Sequence, residues 1–236
     1  MPAHISKRFY KSVDVEETED GYGISLDGRS VRTPVGAALS VPSEALAQAM
    51  AEEWDAQTET IKPLTMPITG MANTAIDRIA NSRVSILDEM IKYAETDLLC
   101  YRADEPADLV ANQVTTWQPL LDWAHETFSV QMVVTEGIMP ISQTDDALAG
   151  LRRVAEKEAY FQLVALSSLT AACGSLIIAL AVRSGRLDAD QAFEVSQLDE
   201  THQINLWGED DESADKRQRL RSSIANMTKF LILLES

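Results

Sequence analysis

The chain has 236 residues, 45% of them apolar and 6% aromatic, with 37 acidic against 20 basic side chains and a formal charge of −17. That length holds one large domain or two small ones around a sizeable core. A field this negative repels nucleic acid and an anionic membrane surface, so neither is an expected partner.

Up to Pro42 the chain reads as strands. Phe9, Tyr10, Val13 and Val15 lead to Asp20–Gly21, and Tyr22, Ile24 and Leu26 then alternate with Gly23 and Ser25 at a period of two. Asp27–Gly28 is a hairpin signal, because both residues tolerate positive φ. Thr33–Pro34 and Gly36 mark another turn before Leu39 and Val41. The result is an antiparallel meander of three or four strands, too small to stand alone. Ser43 is placed to cap a helix running to about Trp54, with Leu46, Met50 and Trp54 on one face and Glu44 in the first turn. Asp55 to Pro67 reads as a linker.

Beyond the linker, apolar residues recur at helical spacing. Ile68, Met71, Ala75, Ile76 and Ile79 form one stripe, and Val84, Leu87, Ile91 and Ala94 a second. Asp97 to Tyr101 is predicted as a short strand. Pro106 opens a helix with Leu109, Gln113, Trp117 and Leu120 on one face, which Pro119 should bend or break. Val130 to Thr135 is a further candidate strand. Helices are predicted over Thr144–Leu169, Ser175–Ser184, Asp188–Trp207 and Ser213–Leu234. The fold class expected is α+β: a small β-meander domain ending in a helix over 1–60, then a helical bundle over 61–236.

No charged residue occurs from Ala159 to Val182, a stretch long enough to span a bilayer. Its serines and threonines, its many alanines and the break offered by Gly174 point instead to two helices buried in a bundle. Cys100 and Cys173 belong to no CxxC pair and read as buried thiols in a reducing compartment. The N-terminus, MPAHISKRFYKSVDV, has no apolar signal core and little of a transit peptide. The expected location is therefore a bacterial cytoplasm, or the mitochondrial matrix if the chain is a processed eukaryotic form.

Nucleotide, protease and hydrolase signatures (GxGxxG, P-loop, HExxH, GxSxG) are absent from the sequence. The histidines are His4, His125 and His202. Two of them lie in D-x-x-H pairs, Asp122 with His125 and Asp199 with His202, and paired sites of this spacing hold di-metal centres in bundles. Those centres use Glu and need two further carboxylates, which Glu156 or Glu158 would supply. A helical-bundle metalloprotein is thus the alternative reading. Lys7, Arg8 and Lys11, and again Lys216, Arg217, Arg219 and Arg221, read as short solvated faces.

The segment LDETHQINLWG at 198–208 carries more. On a helix, Val195, Leu198 and Leu206 point one way, and Glu200, Gln203, Ile204 and Trp207 nearly the opposite way. A tryptophan beside a carboxylate and an amide is the composition of an interface anchor, and Gly208 is placed to end the helix. Trp54, in EEWDAQTETIKPLTMP at 52–67, reads as a plug between the strand layer and the helices.

Taken in order, KRFYK at 7–11, LDGR at 26–29 with Thr33–Pro34, EWDAQ at 53–57, MP at 66–67, AID at 75–77, TDLLCYR at 96–102, GSLIIAL at 174–180 and LDETHQINLWG at 198–208 resemble the ATP synthase assembly chaperone family that serves the alpha subunit of the catalytic head. The resemblance runs from about Lys7 to the C-terminus. It implies a small β-containing N-terminal domain and an orthogonal helical C-terminal bundle. It also implies a protein that is not an enzyme, takes no cofactor and no metal, and holds unassembled alpha subunit soluble until beta replaces it. Glu200, Gln203, Trp207 and Gly208 are carried over as candidate alpha-subunit contacts, and Trp54 as a residue of the fold or the binding surface. His202 stands where the family carries an aromatic, which argues against its being a metal ligand.

Overall fold

The structure is a computed structural model and describes residues 7–137 and 139–236, with the backbone alone at Ala80 and Asn81. His4 lies outside the described residues. The chain condenses into two compact units. The first holds the chain as far as Arg83 together with Ala159–Ala165 and Lys229–Ser236; the second holds Val84–Glu158 and Leu166–Thr228.

The first unit is built on an antiparallel sheet of β1 (Val13–Thr18), β2 (Gly21–Leu26), β3 (Arg29–Ser30) and β4 (Ser40–Val41). β2 is central. β1 runs along one edge with Val13 opposite Leu26 and Thr18 opposite Gly21, while β3 and β4 pair with the two ends of β2. The hairpin falls at Asp27–Gly28, with φ of 50° and 74°. Its Asp27 carboxylate accepts from the backbone N–H of Lys11 and Ser12 at 3.0 and 2.9 Å. Gly21 is required where it stands: its φ is 135°, and a Cβ there would sit 2.3 Å from the Val41 carbonyl oxygen. The predicted alternation along β2 is only half observed. Ile24 and Leu26 are buried, but Gly23 and Ser25 are buried as well. The Leu39 carbonyl and the Thr18 methyl crowd the Gly23 face, so both sides of the strand are covered.

α1 (Glu44–Asp55) buries Leu46, Ala47, Ala49, Met50 and Ala51. Ser43 caps it by accepting from the Leu46 N–H at 3.2 Å, and its hydroxyl donates to the Leu233 carbonyl. The linker after α1 is pinned rather than loose. The buried Gln57 accepts from the Lys62 N–H at 2.8 Å and donates to the Glu53 carbonyl at 2.9 Å. The Glu53 carboxylate accepts from the N–H groups of Ile68 and Thr69, both at 2.8 Å, which caps α2 (Pro67–Thr74). α2 passes into a π-helical turn (Ala75–Ile79) and then α3 (Ala80–Glu95), kinked at Ser82.

In the second unit the candidate strand at Asp97–Tyr101 is a 3-10 turn (Leu98–Cys100) followed by β5 (Tyr101–Arg102). β5 pairs in parallel with β6 (Thr135–Glu136), which takes in only Thr135 of the candidate strand at 130–135. α4 (Ala107–Phe128) runs unbroken through Pro119. The missing N–H is outweighed by a buried face of Gln113, Trp117, Leu120, Leu121 and Ala124, with Trp117 Nε1 donating to the Val195 carbonyl at 3.0 Å. α5 (Asp145–Ala155) and α6 (Tyr160–Cys173) replace the single helix predicted over 144–169. α6 and α7 (Leu176–Arg183) are divided at Gly174, φ 65°, as expected. Every α7 residue from Leu176 to Val182 is buried, and most of the uncharged stretch is core, although Ala159, Tyr160 and Ala171 are exposed. Among the described residues no helix is long and apolar enough to cross a membrane. α8 (Ala189–Ser196) and α9 (Leu198–Trp207) are separated by Gln197, where one helix was predicted, and α10 (Asp211–Leu233) follows.

Two of the quoted motifs meet at one buried carboxylate. Asp97 of TDLLCYR accepts from the Leu99 N–H at 3.1 Å and the Ile177 N–H at 3.3 Å, and the Leu98 N–H donates to the Gly174 carbonyl at 3.0 Å. Asp97 therefore caps the N-terminus of α7, the helix that opens GSLIIAL. Cys100 and Cys173 are free and buried, and burial pushes both thiols up to about 12, which makes them inert as nucleophiles.

Candidate partner-binding site

α9 has no buried residue. It is held chiefly by polar contacts near its start. Asp199 accepts from Gln113 Nε2 at 2.8 Å, and Gln113, itself buried, accepts from the Ala103 N–H at 2.8 Å and offers its carbonyl to Arg102 at 3.0 Å. Arg102 lies over the Trp117 ring, 5.3 Å from its centre. Thr201 accepts from Arg217 Nη2 at 3.2 Å. The later part of α9 meets solvent: Trp207 is 78% exposed and Leu206 58%. α9 thus carries Leu206 and Trp207 in solvent while Leu198, Thr201 and His202 are half-buried.

The break at Gln197 changes the predicted rotation. Val195, on α8, is buried, Leu198 is half-buried and Leu206 is exposed, so the inward stripe expected of Val195, Leu198 and Leu206 does not form. The opposite side does come together. Glu200, Gln203, Trp207 and Gly208 line one open pocket of about 330 Å³, joined by Ile204. Across it, Glu209 pairs with Arg217 at 3.2 Å. Asp210 caps α10 by accepting from the Ser213 N–H and hydroxyl at 3.0 and 2.8 Å, bonds that lower its carboxyl. Glu200, in the lining of this pocket, makes no hydrogen bond or ion pair among the described residues, so its charge stands uncommitted. Gly208, at φ 84°, ends the helix and turns the chain towards the acidic run 209–212.

The fifth predicted residue, Trp54, belongs to the first unit. It is half-buried in α1, edge-on to Tyr10 with ring centres 5.8 Å apart, and its carbonyl accepts from the Tyr10 hydroxyl at 2.7 Å. Its indole N–H is enclosed without a partner.

The two D-x-x-H pairs do not converge. Asp122 and His125 are exposed on α4, Asp199 is engaged by Gln113, and His202 Nδ1 lies 4.0 Å from Asp108. Glu156 pairs with Arg152 and Glu158 with Arg183. Among the described residues no three of His, Cys, Asp or Glu gather to hold a metal, and the metalloprotein reading finds no support. The sequence reading also missed a feature of the basic run on α10. Arg217 and Arg221 are not a solvated face but lie over the Phe193 ring of α8. Their spacing of four was the available signal.

Residues 7–125 match the family described as ATP12 chaperone protein. The chain belongs to the ATP12 chaperone family. This is the family of ATP synthase assembly chaperones that the sequence resembles. The chain is 26% identical over 220 residues to Protein atp12, mitochondrial, of Schizosaccharomyces pombe, an alignment covering 88% of this chain and 76% of the yeast protein. It superposes on the crystal structure of Atp12 from Paracoccus denitrificans with a TM-score of 0.92 at 38% identity, covering 97% of this chain and 98% of that one. An aspartate-to-lysine variant of the P. denitrificans protein gives a TM-score of 0.93 at the same identity and coverage. The likeness to solved ATP12 structures therefore extends well past residue 125 and takes in α9 and α10.

Proposed function

We propose that this ATP12-family chaperone binds the unassembled alpha subunit of the F-type ATP synthase catalytic head and keeps it soluble until a beta subunit takes its place. The observation that carries the reading is α9, a helix without a buried residue that presents Trp207, Glu200 and Gln203 on one open pocket. A lone alpha subunit exposes a large surface meant for beta, well above the few hundred Å² that a monomer tolerates. Covering that surface blocks aggregation. The cover must later come off, so the interface should be modest in size and more polar than an obligate one. The mixture on α9 fits: one exposed tryptophan as anchor, with a carboxylate and an amide to fix orientation. On this reading the protein works by holding its client, without chemistry of its own and without a cofactor, in a bacterial cytoplasm. Trp54 serves the fold of its own unit, holding α1 against Tyr10.

The test is co-expression with the alpha subunit in cells lacking their own chaperone. The wild-type chain should keep alpha in the soluble fraction and co-purify with it. Glu200→Lys and Trp207→Ala should lose capture while melting as the wild type does. Failure of the wild type to capture alpha would remove the alpha reading. Full capture by both variants would take α9 out of the site.

A further inference from the structure

α9 buries none of its residues, so its orientation rests on the few polar contacts it makes. It is also cut off from α8 at Gln197, whose φ of −111° and ψ of 24° are not helical and whose side chain does not cap the helix. The rotation of α9 about its own axis is therefore not inherited from α8. Within the second unit, one face of α4 grips the chain on both sides of this break. Before it, the Trp117 indole N–H donates to the Val195 carbonyl at 3.0 Å. After it, Gln113 Nε2 donates to the Asp199 carboxylate at 2.8 Å. Gln113 and Trp117 are one helical turn apart and only 1% and 0% exposed, so both grips start from the core. The Gln113 amide is fixed at its other end as well. Its Oε1 accepts from the Ala103 N–H at 2.8 Å, which leaves Nε2 as the donor that meets Asp199. Its backbone carbonyl accepts from Arg102 Nη1 at 3.0 Å, and the buried Arg102 donates in turn to the Leu99 carbonyl at 2.8 Å. The other ties near the start of α9 are longer. Arg217 reaches Thr201 at 3.2 Å and Gln197 at 3.4 Å, and His202 lies 4.0 Å from Asp108.

We infer that Gln113 is the positioning residue of the client-binding helix: by anchoring Asp199 it sets the rotation at which α9 presents Glu200, Gln203 and Trp207. The inference rests on the assignment of the Trp207 face to the client. At about 100° per residue, Glu200, Gln203 and Trp207 lie about 100°, 40° and 80° round the helix from Asp199, all in one direction. Fixing the one residue fixes all three. An amide suits the task, because one end satisfies a main-chain donor while the other donates to a carboxylate. A glutamate offers no such donor and an aliphatic side chain offers neither group. A bond of this kind, made from a buried side chain to a charged acceptor, is also stronger than the exposed contacts further along the helix.

The rotation is measured on the free full-length protein, so the result does not depend on the client. Nitroxide labels go on Thr115→Cys in α4 and Leu206→Cys in α9, both exposed positions. Cys100 and Cys173 are buried, with thiols pushed up to about 12, and should stay unlabelled. The label-to-label distance, read by electron spin resonance, should form a single narrow distribution in the otherwise unchanged chain. Gln113→Glu sets a second carboxylate against Asp199 and should broaden or shift it. Combining Gln113→Glu with Asp199→Asn restores a donor facing an acceptor with the roles exchanged. It should return the narrow distribution, a rescue that a merely structural role for Gln113 would not produce. Thr201→Ala should leave the distribution narrow. Capture of alpha subunit should follow the distances: about tenfold weaker in Gln113→Glu, the size of a lost hydrogen bond to a charged group, and recovered in the exchange. An unchanged distribution in Gln113→Glu, no recovery in the exchange, or equal broadening by Thr201→Ala would each overturn the proposal. If Gln113→Glu does not fold, Asp199→Ala at its half-buried position takes its place, and an unchanged distribution there overturns the proposal alone. Distances that behave as expected in a chain that never captures alpha would remove the client assignment and leave the positioning of α9 standing.

Discussion

Asp97 shows how much a single side chain carries here. It is fully buried, and burial pushes its carboxyl up to about 6 against the opposing bonds from the Ser175 hydroxyl and the backbone N–H groups of Leu99, Ile177 and Leu176. In the unfolded chain an aspartate titrates near 3.9. Between those values the folded protein holds a proton that the unfolded chain has released. The contribution of Asp97 to stability is therefore full below about pH 4 and is lost as pH rises through about 6, a change of up to about 3 kcal/mol. Other carboxylates titrate in the same window, so the comparison is with Asp97→Asn, which lacks this one proton. Urea unfolding of both proteins should show the wild type losing up to about 3 kcal/mol relative to the variant between about pH 4 and 7. A pH-independent difference would mean that Asp97 titrates normally. Trp54 gives a second expectation at this scale. Its ring meets Tyr10 and its N–H is enclosed, so Trp54→Arg places a charge where no partner waits and should destabilise by several kcal/mol, of order 2–4. A Trp54→Arg protein with an unchanged melting temperature but no capture of alpha subunit would make Trp54 a surface contact instead.

The contrast between helices is the informative one at the next scale. Leu151 and Leu163 are fully buried in α5 and α6, whereas Leu198 on α9 is only half-buried. Leu151→Ala should cost about 2–5 kcal/mol through lost burial and a residual cavity, and Leu198→Ala clearly less, about 1 kcal/mol, since no closed cavity forms. Thermal unfolding of the two variants decides this, and a loss at Leu198 equal to that at Leu151 would place α9 in the core. The same helices show what was legible in the sequence. Local chemistry was read well where it is self-sufficient: the Asp27–Gly28 hairpin, the Ser43 cap and the Gly174 break each need only their own few residues. It was misread where tertiary contacts decide. Pro119 signals a bend or a break, yet α4 continues unbroken through it, with Trp117, Leu120 and Leu121 buried on either side. Gln197 carries no breaker signal, yet the chain interrupts its helix there, and the interruption takes Leu198 out of register with Val195. Nothing in the spacing of 68–79 distinguishes an α-helix from one that passes through a π turn. At the candidate site, the apposition of Glu200, Gln203 and Trp207 followed from helical geometry alone, because it lies within one unbroken helix. The stacking of Arg217 and Arg221 on Phe193 did not, because it joins two elements whose packing no local pattern encodes.

Charge acts on the whole molecule. Against 37 acidic side chains there are 20 basic ones, and none of the ion pairs among the described residues is fully buried; Lys216 with Glu212 and Arg221 with Asp190 have both side chains exposed. Pairs of this kind contribute about 0–1 kcal/mol each and are weakened by salt. The unpaired excess of carboxylates repels itself in the compact state and relaxes on unfolding, and salt weakens that repulsion too. The two effects have opposite signs, and with 17 uncompensated charges the repulsion should dominate. Raising sodium chloride from about 0.05 M to about 0.5 M shortens the screening length from about 14 Å to about 4 Å. At neutral pH this should stabilise the protein by about 1–2 kcal/mol, which for a chain of this size raises the melting temperature by several degrees, about 2–4 °C for each kcal/mol. The sequence isoelectric point is about 4.5. Near that pH the net repulsion vanishes while the remaining ion pairs still weaken with salt, so the same addition should leave the melting temperature unchanged or lower it. A salt response of equal sign and size at both pH values would show that ion-specific effects, rather than the molecule's own charge, set its stability.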